Sequence, residues 1–583
     1  MSPSSSSRQA ILGLLAIAAV SAALAADLVT QGERIYVDGL LPTGKPLTAV
    51  RSGDVKIQGA DAACVACHRR SGMGSVEGDI LISPITANYL FQPPDKSLLA
   101  TMDPRRSKSF NMAHTPYDDA SLGRALRDGL HVSGRTMHAM MPRYSLDNAA
   151  AAALTAYLHQ LSASWSLGVD GDGRIHLATV VTADADPALR DVVVGMLRAA
   201  ALQKNANTVS NQPNGRRHMV SAAEMVLGTE HKWQLDVWQL SGPAETWPAQ
   251  LAAYHAKTPV FAVLSGLTAG RWQPVQSFCA ANRVPCWFPL VDLPPAVDRG
   301  YSLYFSRGVL LEADALARYL QMGDEHKPRR LVQVFRDDEV GRGAAAETAM
   351  ALKGSVIEVV DRPWPVGDGE ALQRQLTALR DGDSVMLWLR PTDLALLANV
   401  PPTGRPTYLS AQMNGGEHGI PETWKRDLRL VYPFELPQKR ALGLNYFYAW
   451  LRFQRIPLVN ELVQSEVYFA TSFLTDTLAE MLDNLYRDYL IERAENMIGI
   501  REGSKAETEA RERLALRRPA VHALRSSGLQ IDQEAIGVRQ STTVFPRLAL
   551  GPGQRFASKG AYIVRFADSH ADTLVAESDW LVP

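Results

Sequence analysis

Two thiols with two residues between them and an imidazole directly behind can grip a porphyrin. In Cys64-Val65-Ala66-Cys67-His68 each thiol can add across a vinyl group to give a thioether, and the histidine is placed to ligate the iron. The same five residues could serve as a redox dithiol or as half of a zinc site. Zinc needs a second pair of ligands, and the remaining cysteines, Cys279 and Cys286, lie far downstream and seven apart. One covalently attached haem c is therefore expected, on Cys64 and Cys67, with His68 on the iron.

A ligand for the other face is offered by Gly134-Arg135-Thr136-Met137-His138-Ala139-Met140-Met141-Pro142-Arg143-Tyr144. Methionines crowd this loop just before Asp147, which can cap an alanine-rich helix carrying Ala151, Leu154, Leu158 and Leu161 at helical spacing. Here the chain resembles class I c-type cytochromes, whose axial methionine stands just before proline in a loop preceding the last helix. That resemblance implies Met141 as the distal ligand, with Met140, Met137 and His138 as alternatives in the same loop. It covers about residues 27–165 and implies an all-α domain. Gly32 and Tyr36 sit in its first helix, and Ser71-Gly72-Met73-Gly74 follows the haem motif. Arg69 and Arg70 are candidate contacts for the haem propionates, since a guanidinium presents a planar fork to a carboxylate. His/Met ligation raises the potential of an iron couple and fills the sixth position, which suits an electron carrier better than an oxygenase.

Attachment of haem c requires export, and the amino end carries a matching signal. Arg8 precedes the apolar run Ile11 to Ala22, which ends in Ala23-Leu24-Ala25, a small-x-small cleavage pattern. A signal peptide over residues 1–25 and a periplasmic mature chain are expected. The run is shorter than a spanning helix needs, so no stable membrane insertion is expected after cleavage. The 583 residues exceed one ordinary domain, and 46% hydrophobic with 21% charged residues is a globular composition. Sixty basic residues against sixty-one acidic ones, with no basic run interleaved with aromatics, exclude the electrostatic footprint of a nucleic-acid binder.

Past Gly168-Val169-Asp170-Gly171-Asp172-Gly173 the texture becomes strands alternating with amphipathic helices. Strands are predicted at Ile175 to Val181, Leu235 to Leu240, Val260 to Leu264, Leu331 to Phe335, Val356 to Val360, Val385 to Leu389 and Thr407 to Leu409. Their continuous apolar runs suit parallel sheets covered on both faces. With Val260-Phe261-Ala262-Val263-Leu264-Ser265-Gly266 and Val284-Pro285-Cys286-Trp287-Phe288-Pro289, residues 175–500 resemble the type I periplasmic binding proteins of branched-chain amino-acid ABC transporters. That implies an α/β two-lobed fold, crossed by a helical region from Leu442 to Met497. A ligand in such a fold sits at the carboxyl ends of strands, which points to Ser265, Gly266, Thr268, Asp337, Asp338, Arg390, Thr392 and Asn414. The first strand runs into Thr182-Ala183-Asp184-Ala185-Asp186-Pro187 without a glycine-rich turn, so capture of an amino-acid carboxylate by free amides is not expected. Cys279 and Cys286 are either bridged at a helix-to-strand corner or two buried thiols.

Four segments follow: the signal peptide 1–25, a cytochrome c domain over 26–168, a type I binding-protein-like domain over 175–500, and a small extension over 501–583. In the extension, strands on either side of Gly551-Pro552-Gly553 suit a β-hairpin. This ending is similar to that of fusions of cytochrome c with a binding-protein domain, some of them associated with quinoprotein alcohol oxidation. The expected function is electron transfer between redox partner proteins, joined to binding of a small ligand or partner. Neither a G-x-S-x-G nor an H-E-x-x-H pattern is present, so nothing points to an independent catalyst. A solute receptor or sensor with a regulatory haem, and a haem-coupled dehydrogenase, are the alternatives.

Overall fold

The computed structural model describes residues 25–77, 80–93, 114–210, 231–268, 270–296, 300–322, 328–499, 543–567 and 573–583. The apolar run of the signal, most of residues 92–118 and all of residues 501–518 lie outside these residues. The chain forms two compact units; one holds the residues up to Ser166 together with Leu478–Glu492, and the other begins at Leu167. Among the described residues no helix is long and apolar enough to cross a membrane.

The first unit is built on three helices: 25–38, Asp119–Asp128 and Asn148–Leu158. Each of the last two starts on an aspartate. Asp118 accepts from the Ser121 amide and Asp147 from the Ala150 amide, each satisfying a donor that a helix start leaves open. Helix 25–38 packs against Asn148–Leu158 at Gly32, where an added Cβ would fall 2.0 Å from the Ala153 carbonyl oxygen; only glycine allows the two backbones to approach so closely. One turn later Tyr36 is fully buried, its ring 5.2 Å from Tyr157.

The expectation of an all-α domain is corrected. Strands β1 (Thr48–Arg51), β2 (Val55–Gln58) and β5 (Arg143–Tyr144) form a three-stranded sheet in the order β2-β1-β5, and β3 (Ser75–Glu77) pairs antiparallel with β4 (Ile80–Ile82). The strands are two to four residues long, too short for a period-two pattern to stand out in sequence.

The second unit holds two lobes of one design. In the first, five parallel strands lie in the order β10-β9-β8-β6-β7. They are β6 (Ile175–Thr182), β7 (Trp233–Leu240), β8 (Ala262–Leu264), β9 (Cys286–Trp287) and β10 (Ser302–Leu303). In the second, β11 (Arg330–Arg336), β12 (Glu358–Trp364), β13 (Asp383–Trp388), β14 (Thr407–Ser410) and β15 (Leu428–Tyr432) repeat it as β12-β11-β13-β14-β15. Counted within each lobe, both orders are 2-1-3-4-5, one of the two common doubly wound arrangements. All eight residues of β6 and all six of β13 are buried, the signature of strands covered by helices on both faces.

The carboxyl-terminal hairpin forms, but elsewhere than expected. Its strands are β16 (Tyr562–Phe566) and β17 (Leu574–Ala576), and β16 adds antiparallel to β15, so the extension completes the sheet of the second lobe. The stretch around Gly551-Pro552-Gly553 makes no ladder. Val544, Phe545 and Leu548 are buried there as irregular chain, and Pro546 and Pro552 lack the amide that a strand would donate. Cys279, in the helix Gln273–Ala281, is joined by a disulfide to Cys286 at the start of β9, with 6.1 Å between the Cα atoms.

Two outcomes follow from this packing. Gly32→Val should destabilise the first unit by about 3 kcal/mol through backbone overpacking, read as a lower urea midpoint at unchanged slope. Replacing Cys279 and Cys286 together by serine should cost about 2.5 kcal/mol of second-unit stability; an unfolding midpoint equal to that of the parent under oxidising conditions would contradict it.

Candidate functional site

The five-residue motif folds as one tight turn. Cys64 caps the short helix Val65–His68, and the His68 amide donates to the Cys64 carbonyl at 2.9 Å. Cys64 and Cys67 are three apart and so share one face of that turn. The turn is stopped by Arg69, which sits at φ 66°, and the Tyr36 hydroxyl donates to the Arg69 carbonyl at 2.6 Å. The chain then returns through the β3–β4 hairpin. Gly74 permits the closure, since a Cβ there would lie 2.1 Å from the Ile82 carbonyl oxygen.

The hairpin delivers the Ser83 carbonyl to His68 Nδ1 at 3.0 Å. A carbonyl only accepts, so Nδ1 carries the proton and Nε2 keeps its lone pair. Burial holds the imidazole well below its ordinary value, at about 4, against the smaller upward pull of the Ser83 bond. At neutral pH His68 is thus an uncharged base, the form in which imidazole binds iron. Burial pushes the Cys64 thiol up to about 12, a hydrogen bond with Tyr144 opposing the shift only in part. A redox dithiol needs a thiol whose affinity for its proton is lowered; this one is raised. Among the described residues no group of three His, Cys, Asp or Glu side chains is placed to hold a metal ion.

Cys64, Cys67 and His68 line one cavity of about 320 Å³, within the range of cofactor clefts. Leu122, Ala125 and Leu126 of one helix and Leu154 and Leu158 of another form apolar walls, while Met137, His138, Met140 and Met141 come from the loop that the sequence singled out. Arg143 fixes that loop: its guanidinium donates to the Met141 carbonyl, and also to that of Met137 at 3.5 Å. Met137 and Met141 pack partly buried against the core, Met140 is exposed, and the His138 ring accepts the Met140 amide at 3.2 Å.

The cavity fits a haem by one further observation. Arg51, at the end of β1, lines it with a buried Nε that has no hydrogen-bond partner, and Arg135 lines it too. Arg69 and Arg70 are not among its lining residues. The sequence reading missed Arg51, Arg135, Tyr144, His114 and His131, all of which face the cavity. The dense polar and aromatic content of residues 114–144 was the available signal; nothing near Arg51 was.

The second unit gathers part of its expected cleft. Ser265 follows β8 at φ 52° and is fully buried. Its Oγ, Thr268 Oγ1, Asn414 Oδ1 and Gln412 Oε1 are buried polar atoms without a hydrogen-bond partner. Gly266 adopts φ 121° beneath the Trp272 ring. Arg390 reaches Asp292 at 2.9 Å, and Gln412 donates to the same carboxylate at 3.1 Å. Asp337 is instead occupied by an exposed ion pair with Arg342, Asp338 caps the helix Glu339–Ala351, and Thr392 bonds Asp393. Asp186 accepts the Leu189 amide at the start of the helix Pro187–Ser210, so that helix start is already capped. Two buried acids went unforeseen. Glu312, bonded by Ser410 and the Gln412 amide, and Glu466 are each raised by burial to about 8, with Asp292 adding to the shift in both.

The cytochrome c family model matches residues 58–162, a span that contains both cysteines, His68 and the whole methionine loop. No curated protein matches the chain. Among solved structures, the chain is similar to a branched-chain amino-acid ABC transporter protein from Thermus thermophilus with bound valine, at 12% identity and TM-score 0.46 over 70% of this chain and 97% of that one. It is also similar to a leucine-binding protein from Thermotoga maritima, at 10% identity and TM-score 0.45 over 70% and 99%. A third is a fatty-acid ABC transporter substrate-binding protein from Thermomonospora curvata, at 14% identity and TM-score 0.41 over 72% and 95%. Motif, cavity and family match coincide: residues 58–162 match the cytochrome c family, and they are followed in the same chain by a two-lobed, doubly wound α/β unit.

Proposed function

We propose that the chain is an exported, periplasmic electron carrier whose first unit holds one haem c and whose second unit receives a small ligand or a redox partner. The observation that carries this reading is the neutral His68, its Nδ1 bonded to Ser83 and its Nε2 left available in a cavity shared with both cysteines. A haem bound there supplies a one-electron Fe(III)/Fe(II) couple.

Each residue then has a task. Cys64 and Cys67 would hold the porphyrin through two thioethers, each thiol adding across one vinyl group. His68 offers Nε2 to the iron, and the Ser83 carbonyl sets the angle of its ring. Met141 is the distal ligand: it packs on the core and Arg143 holds its carbonyl, which limits the entropy lost on ligation. Soft sulfur favours the ferrous state and keeps the sixth position closed. Arg51 and Arg135 are the partners for the propionates, Arg51 because its buried Nε is otherwise left without an acceptor.

In the second unit the orphaned Ser265, Thr268 and Asn414 atoms are the contacts of a polar ligand, since a buried polar atom without a partner costs about 1–3 kcal/mol. The electron donor and acceptor in this reading are redox partner proteins, and the resemblance to cytochrome fusions associated with quinoprotein alcohol oxidation makes such a system the first to test.

Met141→Ala in the haem-loaded protein should lower the midpoint potential by more than about 59 mV, a tenfold change in a one-electron equilibrium, and let the ferrous protein bind carbon monoxide. An unchanged potential would move the distal role to Met137, Met140 or His138. Mixing the purified, oxidised protein with alcohols or amines should leave the visible spectrum unchanged until a dehydrogenase is added; reduction without one would favour the dehydrogenase reading.

A further inference from the structure

Glu492 belongs to the same compact unit as the haem cavity, although it lies more than three hundred residues beyond the family-matched span. It sits in the helix 487–499 and is about nine-tenths buried. One carboxylate oxygen accepts the Ser71 amide at 2.9 Å and the other accepts the Ser71 hydroxyl. Ser71 is itself a node: its Oγ accepts the Met73 amide at 3.1 Å and its carbonyl accepts the Ser162 hydroxyl at 2.7 Å.

This ties an ionisable group to Ser71, on the loop that follows the proximal histidine. Two residues separate Ser71 from His68, so their Cα atoms lie at most roughly 11 Å apart even if the chain is fully extended. Tyr36 spans the gap. It lines the cavity, donates to the Arg69 carbonyl, and stands within electrostatic reach of both Cys64 and Glu492. The groups facing Glu492 are Arg69 on the loop, Asp488 on its own helix, Ser71 and the Tyr36 phenol. Burial is the main cause that raises Glu492, to about 8; the Ser71 bonds oppose it, Asp488 adds to it and Arg69 opposes it. An ordinary carboxylate has no proton to exchange near neutral pH, whereas this one does.

We propose that Glu492 is the proton-linked tuning residue of the haem couple: when a one-electron donor protein reduces the iron, the Glu492 carboxylate takes up one proton from solvent. Ferric iron with ionised Glu492, one electron and one proton give ferrous iron with neutral Glu492, so charge and atoms balance. The added electron removes the positive charge that stabilised the carboxylate, and Glu492 binds its proton more tightly in the ferrous state. A charge–charge interaction of this kind across a protein interior changes a proton affinity by about tenfold. The potential therefore falls as pH rises between the two affinities, and is flat above and below.

This rests on the haem reading, and the test separates the two. Spectropotentiometric titration of the full, haem-loaded chain across neutral and alkaline pH should show a total fall of about 59 mV for that tenfold difference. Glu492→Gln should abolish the slope. Ser71→Ala keeps the carboxylate but removes a hydrogen bond to its anion, and should move the sloping window to higher pH. Protein that carries no porphyrin would fail the haem reading itself. Haem-loaded protein with a pH-independent potential, or with the same slope in Glu492→Gln, would overturn the proposal. If Glu492→Gln does not fold, a window unmoved in Ser71→Ala would do so.

Discussion

The bond between His68 Nδ1 and the Ser83 carbonyl is the constraint on which the cytochrome unit is arranged. It chooses the tautomer, aims Nε2 into the cavity and, with burial, keeps the ring uncharged. Making it requires a tight turn at Cys64, a chain reversal at Arg69 with positive φ, and a hairpin whose closure only Gly74 allows. The Tyr36 hydroxyl on the Arg69 carbonyl ties that reversal to helix 25–38, which in turn is seated by the close approach at Gly32. A carbonyl bonded to the ring nitrogen remote from a metal orients an imidazole and adjusts its basicity, so the packing of the two helices bears directly on how an iron would be held.

Both units use low polarity to make charge consequential. Apolar walls around the cavity penalise any uncompensated ion, which is why the Cys64 thiol stays protonated and why an unpartnered Arg51 Nε is informative. In the second unit the same desolvation keeps protons on Glu312 and Glu466 beside Asp292, whose own charge is met by Arg390. The buried carboxylates are therefore not spare surface charge.

Legibility in the sequence followed the range of the interactions. The haem motif is five consecutive residues, and its chemistry could be read directly. Most parallel strands of the two lobes were legible because burial on two faces leaves continuous apolar runs, as in Val260 to Leu264 and Val385 to Leu389, whereas β10 and β15 were not singled out. The strands β1, β2 and β5 were not, because two to four residues carry no period. The hairpin of the extension was misplaced because Gly-Pro-Gly is a strong turn signal, while β16 is specified by pairing with β15, more than a hundred residues earlier, and β17 by pairing with β16. Arg51 and Glu492 were invisible for the same reason: each acquires its role from a partner brought up by the fold. Asp337 and Asp338 had the right position after a strand, yet local ion pairing and helix capping took them.

The central claim is covalent attachment of one porphyrin at Cys64 and Cys67. An alkaline pyridine haemochrome spectrum, taken after denaturation and acid–acetone extraction of protein matured in a host competent for cytochrome c assembly, tests it directly. The account predicts a c-type spectrum that stays with the polypeptide at one haem per chain and is lost as a covalent species in a Cys64→Ala, Cys67→Ala double variant. Colourless protein, or haem that extracts completely from the parent chain, would contradict it.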